Sequence, residues 1–211
     1  MRLVPGERAA ICDLFEATGP DAPTVLPGWR AGELLAHLLV RERQPLAAPG
    51  ILVPALARFA ESAMDTYKKV PWAEQVRLLR DGAPLWSPYR IPLLDERANL
   101  LEFFVHHEDL ARAQPGWQPR AAEPDRDEAL WSALRLAARL MYRHSPVGVR
   151  LRHATRARGA EINARSGPRQ VTVVGTPGEL VLHGFGRELA QVDLDGAPAD
   201  IEALQATSRG I

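Results

Sequence analysis

The chain has 211 residues, of which 46% are hydrophobic, and its 26 basic and 26 acidic residues cancel to a formal net charge of zero. That length suits one large domain or two small ones with a real apolar core, and the charge balance disfavours a sequence-independent nucleic-acid binder. The single cysteine, Cys12, excludes an internal disulfide framework and any multi-cysteine zinc site. No run approaches the ~20 apolar residues of a membrane span, and the first ten residues lack a signal-peptide pattern, so a cytoplasmic protein with no membrane partner is expected.

A first helix is predicted over residues 5–18, with Pro5 in its opening turn, Ala10, Ile11, Leu14 and Phe15 as its apolar stripe, and Gly19-Pro20 as its stop. A second covers 30–43, halted by Pro45 and Pro49-Gly50. A third covers 53–68, with Leu56, Ala60, Ala63, Met64 and Tyr67 at helical spacing. Pro71 opens a further turn or two to Arg80, and the prolines of 83–92 make a rigid irregular loop. A fourth long helix runs over 93–113, and 114–124 read as a linker. Asp125 and Glu128 stand in capping-box spacing before a helix to Arg143. Beyond Pro146 the period changes to alternation, over 147–152, 161–165 and 170–174. Thr176 and Glu179 form a second capping signature for a helix to Leu189. A short strand at 192–194 and a helix over 199–206 complete the chain. Helices first and mixed elements later give an all-α domain, 1–116, followed by a smaller α+β domain, 125–211.

The most informative segment is Leu101-Glu102-Phe103-Phe104-Val105-His106-His107-Glu108-Asp109-Leu110. At about 100° per residue, Asp95, Asn99, Glu102, His106 and Asp109 share one narrow stripe. Leu94, Ala98, Leu101 and Val105 flank it on one side, Phe103 and Leu110 on the other. A carboxylate and an imidazole buried there need partners. Glu102 and His106, at i and i+4, project from adjacent turns of one face and are both good ligands for Zn²⁺ or a similar divalent ion. His107 points about 100° away and is not counted. On the second helix, His37 sits within a run of leucines. It is either a core histidine satisfied by a backbone carbonyl or a third ligand, and three protein ligands would leave a fourth position open.

Trp29 followed by Glu33-Leu-Leu-Ala-His37-Leu, together with the Glu102–Leu110 segment, resembles the DinB-like superfamily. The similarity is to the branch containing mycothiol-dependent maleylpyruvate isomerase, found in actinobacteria, and within it to metal-binding proteins without an assigned reaction. It covers nearly the whole chain, including Gly178-Glu-Leu-Val-Leu-His-Gly-Phe-Gly186-Arg187. The resemblance implies an α+β fold, with a four-helix DinB-like bundle followed by a small mixed α/β domain. It also implies zinc on His37, Glu102 and His106, and mycothiol as a low-molecular-weight thiol cofactor. An arginine of the C-terminal domain serves the isomerase. Arg187 is the candidate here, the alternative being an arginine that interacts with a helix dipole.

The chemistry so implied is a metal-dependent isomerase or thiol S-transferase acting on a small-molecule electrophile. The alternative is a non-catalytic metal-binding protein, the ion bracing the bundle or serving a sensor. Asp109 and Asn99 are candidates to hydrogen-bond a ligand imidazole, and Asp109 alternatively to act as a catalytic general base. Arg41, one turn after His37, would hold an acidic group of cofactor or substrate, or pair with Glu102 or Asp109. Cys12 reads as a small core residue. Arg150, Arg152, Arg156, Arg158, Arg165 and Arg169, opposed by Glu161, form a basic cluster that fits either the solvated face of a strand or an anionic ligand such as nucleic acid. Leu100 and Phe104, on the far side of the fourth helix, leave open a contact with the C-terminal domain or, in a homodimer, with a second subunit.

Overall fold

The structure, a computed structural model, describes residues 2–44, 57–155 and 160–210. The protein is mixed α+β, and the chain divides into two compact units, Met1–Arg120 and Ala121–Ile211. The N-terminal unit contains α1 (Val4–Thr18), α2 (Ala31–Arg43), α3 (Ala57–Lys68), α4 (Trp72–Arg80) and α5 (Pro92–Ala111). Proline recurs in the opening turn of these helices, where its missing N–H costs nothing: Pro5 in α1 and Pro92 in α5. α1 packs on α4 and α5, and α2 on α3 and α4. The expected start of the third helix, including Leu56, lies outside the described residues, as do Pro45 and Pro49-Gly50. The proline-rich loop before α5 contains a short 3-10 turn, Pro88–Arg90.

The buried face of α1 is rotated from the one predicted. Val4, Glu7, Arg8, Ile11, Cys12 and Phe15 are buried, while Ala10 and Leu14 are half-buried. Two charged residues belong to this face because distant partners satisfy them, Arg120 for Glu7 and Glu42 with Asp95 for Arg8, a compensation that periodicity cannot display. Leu94 is likewise 41% exposed rather than a buried flank. Among the described residues no helix is long and apolar enough to cross a membrane.

The C-terminal unit contains α6 (Pro124–Met141), β1 (Gly148–His153), β2 (Glu161–Arg165), β3 (Gln170–Gly175), α7 (Pro177–Gly184), β4 (Asp193–Asp195) and α8 (Pro198–Gln205). The sheet order is β2-β1-β3-β4. β1 is antiparallel to β2, with Leu151 opposite Ile162, and parallel to β3, with Leu151 opposite Val173; β4 is antiparallel to β3. Alternation puts Val149, Leu151, Val171 and Val173 in the core, under α6 and α7. Two helix boundaries differ from the sequence reading. α6 begins at Pro124 with Glu123 as its N-cap, so Asp125 lies within the first turn rather than capping it. α7 ends at Gly184, not near 189. Gly186 at φ +77° lets its own N–H reach the His183 carbonyl and the Arg187 N–H reach that of Leu182. That pair of bonds is a Schellman closure, which needs the left-handed conformation glycine tolerates.

Most of the basic cluster is engaged within this unit. Arg150 and Arg152 both reach Glu161, at 3.3 and 2.8 Å, and Arg169 pairs with Asp200 at 3.2 Å. Arg165 donates to the Arg143 carbonyl. Arg156 and Arg158 lie outside the described residues.

Candidate metal centre

The start of α2 is held by the loop before it. Ala31 and Gly32 donate their N–H groups to the carbonyls of Ala22 and Pro20, each at 2.9 Å, and Glu33 reaches back to accept from the Arg30 N–H at 3.0 Å. Val25 of the same loop donates to the Asp109 carbonyl of α5 at 2.9 Å. Leu34, Leu35, Leu38 and Leu39 bury the helix, and His37 goes inward with them. From α5, Glu102 and His106 rise on adjacent turns as their spacing requires.

The three side chains converge. His106 Nε2 lies 3.4 Å and His37 Nε2 4.0 Å from Glu102 Oε2, and one ligand atom from each residue falls within 4.8 Å of the others. The imidazole centroids are 5.0 Å apart, and the Trp29 indole lies 5.3 Å from that of His37. Donor atoms around a tetrahedral zinc ion are about 3.4 Å apart, given bonds near 2.1 Å. The His106–Glu102 pair stands at that spacing and His37 a little beyond it.

His37 Nε2 is buried with no hydrogen-bond partner among the described residues. A buried polar atom in that state is costly and rare, and an ion held between it and its two neighbours would satisfy it. The donor set, two imidazoles and a carboxylate, fits Zn²⁺ and other borderline divalent ions.

His37 and Glu102 stand in the charge states a cation needs of its ligands, whereas at His106 an ion would compete with a proton. Burial pushes the His37 imidazole below its ordinary pKa, keeping it neutral. Burial acts against the charged form of His106 as well, but Asp109 and Glu102 outweigh it and raise that pKa. Burial also favours the neutral form of Glu102, yet His106, His37 and Arg41 hold its carboxyl well below the usual range.

Asp109, fully buried, meets His106 Nδ1 at 2.9 Å. It thereby turns Nε2 toward the cluster, as a carboxylate behind a ligating histidine does. It touches the Nδ1 side of this imidazole. Asn99 does not reach an imidazole. Its Oδ1 accepts from Arg41 at 3.1 Å, and its Nδ2 donates to Glu42 at 3.2 Å and Asp95 at 2.8 Å. Arg41 adopts one of its two predicted arrangements, pairing with Glu102 Oε2 through Nε at 3.3 Å. Arg187, in the C-terminal unit, donates to the Phe185 carbonyl just beyond α7 at 2.8 Å. His107 turns to Glu108 at 3.4 Å. Cys12 is fully buried, and its thiol is pushed up to about 12 by burial.

Sequence reasoning missed Arg8, Glu42 and Tyr89. Arg8 Nη1 meets Glu42 at 2.6 Å and Nη2 meets Asp95 at 3.3 Å, with Leu79 carbonyl as a further acceptor at 3.2 Å. The Tyr89 ring lies 5.5 Å from the Arg41 guanidinium. The available signal was Arg8 lying on the stripe of Val4, Ile11 and Phe15, a charge where an apolar residue belongs. Comparison with known proteins finds no matching family model, no matching curated protein and no matching solved structure.

Proposed function

We propose that the N-terminal unit is a DinB-like four-helix bundle that holds one divalent ion, zinc foremost, through His37, Glu102 and His106. We further propose that the chain acts as a thiol-dependent isomerase or S-transferase with mycothiol as the thiol. The observation that carries the metal reading is the buried, unpartnered His37 Nε2 facing the Glu102–His106 pair. A divalent ion with three protein ligands keeps a position open, where it would lower the pKa of a thiol and make the thiolate available at neutral pH. The chain's own residues prepare that position: Asp109 orients His106, Arg41 holds Glu102, and Trp29 walls His37.

A second reading, an ion that braces α2 against α5 without chemistry, is favoured by the burial of both histidines, at 6% and 8% exposure. Elemental analysis tests the shared claim. The purified chain is expected to carry one zinc, and His37→Ala and His106→Ala each to lose it. A double variant still carrying one zinc per chain overturns the site. Incubation with mycothiol and a panel of electrophiles separates the two readings. Thiol conjugates or cis–trans isomerisation above background support the enzyme, and their absence leaves the brace.

A further inference from the structure

The polar seam does not end at the three candidate ligands. Glu102 Oε2, the oxygen that faces both imidazoles, is also the oxygen contacted by Arg41 Nε at 3.3 Å. Arg41 is not free to swing. Its Nη1 donates to Asn99 Oδ1 at 3.1 Å, its Nη2 to the Ala98 carbonyl at 2.9 Å, and its guanidinium lies by the Tyr89 ring. The Asn99 amide is fixed in turn. Its Nδ2 donates to Asp95 at 2.8 Å and Glu42 at 3.2 Å, so its oxygen can only face Arg41. Those two carboxylates are held by Arg8 at 3.3 and 2.6 Å. A continuous chain of polar contacts, buried around Arg8 and part-buried at Arg41, therefore runs from Arg8 on α1 through α2 and α5 to the oxygen at the site.

We propose that Arg41, locked by Asn99, is the positioning residue that restricts Glu102 to a single coordinating oxygen and so sets which divalent ion the site takes. The inference rests on the metal reading above. With its Nη atoms held by Asn99 and Ala98, Arg41 sets its Nε against Oε2, taking one side of that oxygen and leaving the other for an ion. A carboxylate so held is a one-oxygen ligand, which suits a small four-coordinate ion such as Zn²⁺. A freed carboxylate can chelate through both oxygens, which suits larger ions of higher coordination number such as Mn²⁺. Three carboxylates, Glu42, Asp95 and Glu102, face two guanidiniums, Arg8 and Arg41, along this chain. Removal of one arginine therefore leaves a carboxylate without its main partner, and Glu102 is the one at the site.

The test uses the full chain and the ions Zn²⁺, Co²⁺ and Mn²⁺, with affinities from competition against a chromophoric chelator. Arg41→Met is expected to lower the preference for Zn²⁺ over Mn²⁺ by roughly tenfold, the low end of what a residue supporting a metal ligand commonly contributes. It is also expected to move the Co²⁺ absorption spectrum toward higher coordination. Asn99→Leu should shift the ratio the same way and less. The Arg41→Met/Asn99→Leu double variant should match Arg41→Met alone, since Asn99 acts through Arg41. Arg41→Lys keeps the charge but lacks the fork. It serves if either variant misfolds, and it should show the same spectral change. A general loss of packing would weaken all three ions together and leave the ratio and spectrum unmoved. Wild-type ratio and spectrum in Arg41→Met or Arg41→Lys, or additive effects in the double variant, overturn the inference while the metal reading stands. A wild-type chain that binds none of the three ions overturns both.

Discussion

A buried imidazole nitrogen without a partner costs about 1–3 kcal/mol, and His37 Nε2 has none among the described residues. The residue is surrounded by apolar neighbours from its own helix and by the Trp29 indole. His37→Leu removes the unsatisfied atom and keeps most of the volume. In urea denaturation with a chelator present, this variant is expected to equal the wild type or exceed it by about 1 kcal/mol. Added zinc, which should shift the wild-type midpoint upward, should leave the variant where it is. A large loss of stability in the metal-free variant would mean that His37 has a polar partner and that the site reading is wrong. At this scale the candidate residues His37, Glu102 and His106 could be picked out because each sits where an apolar residue is expected, among leucine, valine and phenylalanine. Arg8 and Glu42 break the same rule but escaped notice. Their partners lie on three helices far apart in sequence, so neither residue by itself points to the other.

Helix α7 shows how a single element carries both a readable and an unreadable part. Thr176-Pro177 announces its start, and the structure places Thr176 at the N-cap. The stop was set too late because Gly186 reads as an ordinary loop residue until its φ of +77° is known. Just before that stop, His183 is buried, and its Nδ1 pairs with the Tyr142 hydroxyl of the residue after α6 at 2.7 Å. Burial, with the nearby Arg209 charge adding to it, drops the His183 pKa to about 3. An unfolded histidine takes up its proton near pH 6.5. Between those two values the unfolded chain binds more protons, so stability falls as pH falls; above pH 6.5 the contribution is fully present. The slope is at most about 1.4 kcal/mol per pH unit. Hydrogen exchange of the α7 amides, corrected for intrinsic rates, should therefore show protection declining from pH 6.5 toward pH 4. His183→Gln keeps a partner for Tyr142 and cannot titrate. Its protection should decline less over the same range, and an unaltered decline would assign the effect to other groups.

For the molecule as a whole, the change of hydrophobic period beyond Pro146 was enough to separate a helical part from a part with a sheet. Strand order and the parallel β1–β3 pairing were not legible, since alternation gives each strand's face but not its neighbour. The candidate centre draws on two helices separated in the chain by α3 and α4, and this gives metal binding a signature wider than the site. Anything bound only by the folded state adds RT ln(1 + [L]/Kd), about 4 kcal/mol at a thousandfold excess over Kd. Exchange through openings that separate α2 from α5 must slow by that amount, whereas fraying at helix ends need not. Zinc should therefore slow the amides around Leu38 in α2 and around Val105 in α5 by the same free energy, because both helices must part for the three-ligand site to be lost. His106→Ala should abolish the effect at both places. Slowing confined to α5 would show an ion held by Glu102 and His106 without His37, a two-ligand surface capture that binds weakly and organises nothing. Equal slowing in the two helices, abolished by His37→Ala as completely as by His106→Ala, is the outcome a shared ligand set predicts.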